Sequence, residues 1–149
     1  MEKNLSNILH YDGELYLLSA AFATHLDGFG TAPTNLYVGM DNRKIIEIED
    51  TLAKVATQEP KVSSYKRQAL STSKDFTLIP DERRLRAEVR FEAGHDMDLV
   101  SKYFIATTAS GSRGGKLLVS VAMKHERTLF TNDVLTLEIT IGLKDDRDN

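Results

Sequence analysis

Arg84-Leu85-Arg86-Ala87-Glu88-Val89-Arg90-Phe91-Glu92 alternates without a fault. Leu85, Ala87, Val89 and Phe91 fall on one side and five charged residues on the other, which at a period of two is a strand with one buried and one wet face. Downstream the same period returns. Lys102 to Thr108 carries Tyr103, Phe104 and Ile105, Lys116 to Met123 aligns Leu117, Val119, Val121 and Met123, and Val134 to Ile141 sets Leu135, Leu137, Ile139 and Ile141 against Thr136, Glu138 and Thr140. Ser110 to Gly115 and Asn132-Asp133 are turn signals between them. Upstream, Asn35 to Met40 reads as a strand, and Ser63 to Leu70 as another with Tyr65, Arg67 and Ala69 on one side. Short strands separated by turns, each with one solvent-facing side, predict a mainly β protein: an antiparallel sandwich or jelly-roll-like domain.

One segment breaks the β pattern. Between Asp12, which can cap a helix, and the Asp27-Gly28 turn, residues 12–27 hold a run of Leu, Ala, Tyr and Phe without a breaker, and this predicts one N-terminal α-helix. Leu15, Leu17, Leu18, Ala21, Phe22 and Leu26 fall nearly all round it, so it needs cover from its own domain or from a neighbouring subunit. A shorter helix is expected after Asp50 and is closed by Pro60. The length of 149 residues suits one domain, divided into the helix, a sandwich over 34–142 and a polar tail over 143–149.

Composition excludes more than it suggests. With 41% hydrophobic and 28% charged residues and no cysteine, the chain has no disulfide, no thiolate metal site and no Cys nucleophile. The net charge of −3 gives no global attraction to nucleic acid. The apolar run from Leu15 to Thr24 is far shorter than a membrane span needs, and the acidic start makes a poor secretory leader, so a protein used where it is made is expected.

The motifs that suggest chemistry are weak. Gly111-Ser112-Arg113-Gly114-Gly115-Lys116 resembles a phosphate loop, but Ser110 stands where its first glycine should and Leu117 where the hydroxyl should, so a hairpin connection is expected. His95-Asp96-Met97-Asp98 groups ion ligands without a recognisable calcium or zinc spacing. His10, His25, His95 and His125 are scattered, and no nucleophile elbow accompanies them. No catalytic residue, cofactor or metal is therefore expected. Arg84, Arg86 and Arg90, extended by Arg83, Lys66 and Arg67, form a possible cationic face, but Glu88 and Glu92 interrupt it, which favours cross-strand pairing or an acidic protein surface over nucleic acid.

The order of these segments resembles a family of tailed-bacteriophage virion proteins. The resemblance is carried by Glu14 to Leu26, Thr31-Ala32-Pro33, Leu36-Tyr37-Val38-Gly39-Met40, Glu59-Pro60, Tyr65-Lys66-Arg67-Gln68, Val89 to Phe91, Gly115-Lys116-Leu117-Leu118 and Asn132-Asp133-Val134-Leu135. Asn132 stands where the family has glycine, and Ile45 to Ile48 is longer and more apolar than the family's loop. The resemblance implies a β-rich virion subunit of decoration (cement) or tail-fibre type. Its expected partners are the major capsid protein, other virion proteins and further copies of itself, with no nucleic acid and no membrane, and its expected location is the virion, assembled in the host cytoplasm. Leu15, Leu18 and Phe22 are the expected oligomer or anchor contacts, and Arg84, Arg86 and Arg90 the expected electrostatic face. A tail or neck module and a carbohydrate-binding module are the alternatives; for the latter the chain has no Trp.

Overall fold

The alternating strand at 84–92 sits in the middle of a sheet. In the computed structural model β5 (Arg84–Glu92) is flanked by β4 (Thr77–Ile79) and β8 (Val134–Gly142), all antiparallel, with Val89 opposite Leu137 and Phe91 opposite Leu135. The model describes residues 7–22, 35–42, 46–110 and 114–142, and at residues 7, 19–22, 98, 99 and 124 the backbone alone.

The second sheet has five strands in the order β1 (Asn7–Leu9), β7 (Leu117–Leu129), β6 (Met97–Ala106), β2 (Asn35–Asp41) and β3 (Gln68–Ser71). Each neighbouring pair is antiparallel. The inner faces of the two sheets meet in one core that includes Leu36, Val38, Met40, Val89, Phe91, Ile105, Leu135 and Ile139. The expected mainly β, antiparallel sandwich with one helix near its N-terminus is what the chain forms.

The expectation of one wet side per strand holds for β5 but not for the five-stranded sheet. From Val100 to Ala106 and from Leu117 to Val121 every residue is buried. The outer face of β6 and β7 is covered by α2 (Leu52–Ala56), whose Leu52 and Val55 pack on Phe104, Ala106 and Leu117. Thr51 caps α2, its hydroxyl accepting from Lys54 N at 3.4 Å, which bears out the helix expected after Asp50. The strand boundaries also moved. β6 begins at Met97 rather than Lys102, β7 runs on to Leu129, and β1 and β4 are strands that the sequence reading did not anticipate; β1 extends the sheet beyond the 34–142 range. Tyr65 and Arg67 lie before β3, not in it, their side chains reaching to β2 and to the loops at Glu59 and Thr108. The glycine-rich loop joins neighbouring antiparallel strands β6 and β7, as a hairpin connection should, with Thr107 N donating to Lys116 O at 3.0 Å. Residues 111–113 of that loop lie outside the described residues.

Helix α1 occupies Tyr11–Phe22. His10, not Asp12, closes its N-terminus, its carbonyl accepting from Glu14 N at 2.9 Å. Residues 23–27 of the expected helix and the 143–149 tail lie outside the described residues. Gly13 rests on the Leu118 carbonyl of β7 so closely that any Cβ would collide with it, so the sheet fixes one side of α1 and leaves the opposite side outward.

Candidate functional site

Three polar ties lock the outer side of the five-stranded sheet. Lys102 lies directly across from Asp41 on β2, and its Nζ is 2.8 Å from Oδ1 with both side chains buried. A lone lysine inside an apolar strand was the signal in the sequence, since a buried charge requires a partner. The second tie is Arg67. Its guanidinium grips Glu59 at 2.6 and 3.1 Å, donates to the Thr108 and Ala109 carbonyls at 2.9 Å each, and lies over the Phe104 ring. Arg67 is therefore a buried clamp between loops, which removes it from the expected cationic face.

Tyr65 works beside it. β3 pairs β2 only as far as Val38, and beyond that point the Tyr65 hydroxyl takes the place of a strand, accepting from Met40 N at 2.9 Å and donating to Glu59 Oε2 at 2.5 Å. Burial, then the Glu59 charge, pushes this phenol well above its ordinary range.

The third tie is His10. The Ile48 carbonyl can only accept, so the Nδ1 lying 3.2 Å from it carries the proton, and Nε2 accepts from Ser120 Oγ at 2.7 Å. A His–Ser contact of this length has the spacing of a base and a nucleophile. Here both groups are buried in the sheet covering, the ring is oriented by a carbonyl, and the contacts fasten the β1–α1 junction to β7. Desolvation lowers the His10 pKa, against the opposing pull of the Ile48 carbonyl and Asp50; Lys102 acts in the same direction as burial.

The His95–Asp98 segment is also structural where it is described. Asp96 Oδ1 accepts from Thr131 N and Oγ1 at 2.8 and 2.9 Å, and these two bonds hold its carboxyl below the usual range. The Asp98 side chain lies outside the described residues. Among the described residues no three His, Asp or Glu side chains converge on a point, and no helix is long and apolar enough to cross a membrane.

The expected charged face is present but self-paired. Arg86 reaches Glu138 at 3.1 Å and Arg90 reaches Glu92 at 3.2 Å, all four exposed. Glu88 and Glu138 are direct cross-strand neighbours, and Arg86 offsets that like-charge pair. Arg84 stands apart at the far end of the strand. Lys66 is exposed in a loop, and Arg83 occupies a left-handed turn with φ 55°.

The feature without an internal explanation is apolar. Tyr11, Leu15 and Leu18 share the outward side of α1 and are 54%, 40% and 54% exposed. The Phe22 side chain, expected with them, lies outside the described residues. Next to this ridge is a groove of 410 Å³ between the helix and the end of the sandwich. Leu9, Leu17, Leu78, Leu85, Val119 and Ile141 form it, with Glu14 on the helix side and Arg83 and Arg84 on the sheet side. Leu78 and Leu85 occupy inner-face positions of β4 and β5 opposite one another, yet remain exposed because the core ends before it reaches them. The groove exists only where six elements, β1, α1, β4, β5, β7 and β8, meet, so no single stretch of sequence shows it.

Comparison with known proteins adds no relative: no family model, no curated protein and no solved structure matches the chain.

Proposed function

We propose that this chain is a non-enzymatic structural subunit of a tailed-bacteriophage virion, most specifically a capsid decoration or cement protein that stabilises the assembled head by non-covalent contacts. The observation that carries the reading is the exposed apolar ridge and groove on a scaffold whose buried Arg67 and Lys102 are paired internally. An exposed apolar patch marks an interaction surface, and the resemblance in segment order supports a virion as the larger assembly. Self-association through the patch joins copies, the flat charged face of β5 and β8 meets the shell, and each modest contact is multiplied by the shell's symmetry.

Among the described residues the glycan-binding alternative lacks its usual platform. Among the described residues Tyr11 and Phe130 are the exposed aromatics, and they belong to the helix and to the β7–β8 turn.

Quantitative mass spectrometry of purified particles tests the reading. Copy number near that of the major capsid protein is the expected result. A ratio far below it moves the protein to the tail or neck, and absence from the particle overturns the virion role.

A further inference from the structure

We propose that the groove beside α1 is the seat of a second copy of this chain, in a two-fold dimer where Leu18 of each helix enters the groove of the other and Glu14 of each meets Arg84 of the other. This rests on the self-association part of the proposed function and not on the shell.

The argument begins with what one patch contains. A two-fold interface uses the same surface on both partners, so the surface must be complementary to itself. Here a ridge and a groove lie side by side. At 100° per residue, Leu18 follows Glu14 by one helical turn and sits between the groove-lining Leu17 and the outward Tyr11 and Leu15, so ridge and groove share the helix. Both are aliphatic.

The charges then choose the occupant. Glu14 borders the groove on its helix side, and Arg84 borders it on its sheet side. When a second helix lays Leu18 across the groove, its Glu14 accompanies Leu18 toward the sheet side, where Arg84 stands. Two-fold symmetry makes the same pair twice. An unrelated apolar segment would fill the groove, but a copy of this chain brings a carboxylate one turn from a leucine and, by the same symmetry, offers a guanidinium in return. Among the described residues Arg86 and Arg90 of the same strand turn to Glu138 and Glu92, whereas Arg84 forms no ion pair with another described side chain.

Sedimentation equilibrium of the full chain, with near-ultraviolet circular dichroism to confirm native packing, tests the proposal. The wild-type chain is expected to be a reversible dimer. Leu18→Asp, at an exposed position that needs no refolding, should weaken it by on the order of a hundredfold, since the change enters the interface twice. Arg84→Glu and Glu14→Arg should each weaken it about tenfold, more at low salt, and the two changes in one chain should restore association to within a few fold of wild type. A monomer at all accessible concentrations overturns the proposal. A dimer indifferent to Leu18→Asp overturns it too, while leaving self-association through another surface intact. Weakening by both charge reversals without recovery in the double variant overturns the two-fold pairing. Loss of the dimer would not alter particle copy number as a test of the virion role, so the two readings fail separately.

Discussion

The two sheets use the same ion pairs under opposite conditions. On the three-stranded sheet, Arg86–Glu138 and Arg90–Glu92 lie in water, with side chains more than half exposed. On the five-stranded sheet, Lys102–Asp41 and Arg67–Glu59 lie under α2 and its flanking loops, with exposures of 1% and 0% for the first pair and 0% and 11% for the second. Distances hardly differ, between 2.6 and 3.2 Å in all four. The surroundings decide what each pair does. Exposed pairs are screened and contribute little, whereas a buried ion left alone is strongly destabilising. The wet sheet therefore keeps a solvated polar face, while the covered sheet uses its pairs to specify which loop lies where.

Breaking the covered side should have the largest effect. Lys102→Ala removes the ammonium that faces the buried Asp41 carboxylate and should cost about 3–5 kcal/mol in urea unfolding. Asp41→Leu combined with Lys102→Met should recover most of that loss, because the pair's net contribution is small compared with the cost of half of it. If the single and double variants were equally unstable, the pair would not be a matched unit. Arg67→Lys comes next. It retains the charge but loses the fork that serves Glu59 and two carbonyls, and a loss of about 2 kcal/mol is expected.

Acid should separate the sheets in another way. His10 has its pKa lowered by burial, so the unfolded chain binds a proton more readily than the folded one. The His10 contribution is fully present above the ordinary value of 6.5 and is lost as pH falls through the lower folded value. Stability measured across that window should decline in the wild type and more shallowly in His10→Asn; equal slopes would remove His10 as the cause. The smallest effect belongs to the wet sheet. Arg86→Ala and Arg90→Ala should each change stability by less than about 0.5 kcal/mol, diminishing further in salt. A loss of several kcal/mol at either would end the contrast.

Legibility followed periodicity. β2, β5 and β8 were readable because their apolar residues recur every second position and pack on a single core. β6 was read too short because Asp98 and Ser101 interrupt its apolar run, although Met97 and Val100 still belong to the core. β1 and β4 are three residues long, too short for a pattern to form, and β3 (Gln68–Ser71) overlaps only the end of the strand expected over Ser63 to Leu70. Asn132 was singled out as an exception to glycine, and the structure supplies the reason: its φ is 74°, a region that Asn tolerates better than other side chains. Of the site, the sequence shows which side chains are candidates for contact: Leu15 and Leu18 are exposed, and the pairing that Glu88 and Glu92 suggest for the arginine face is present at Arg86–Glu138 and Arg90–Glu92.

Local alternation of apolar and polar residues by itself determined that this chain forms antiparallel strands, because a strand's side chains must choose a face every two residues. It also determined that one apolar helix precedes most of them. Only the tertiary structure decided which faces remained wet. Burial of β6 and β7 on both sides depends on α2 and its loops folding back over them, and the meaning of Arg67, Lys102 and His10 depends on partners 8, 61 and 110 residues away in sequence. The groove has the same origin: Leu17, Leu78, Leu85 and Ile141 are unrelated in sequence and become one surface where the sandwich ends beside the helix.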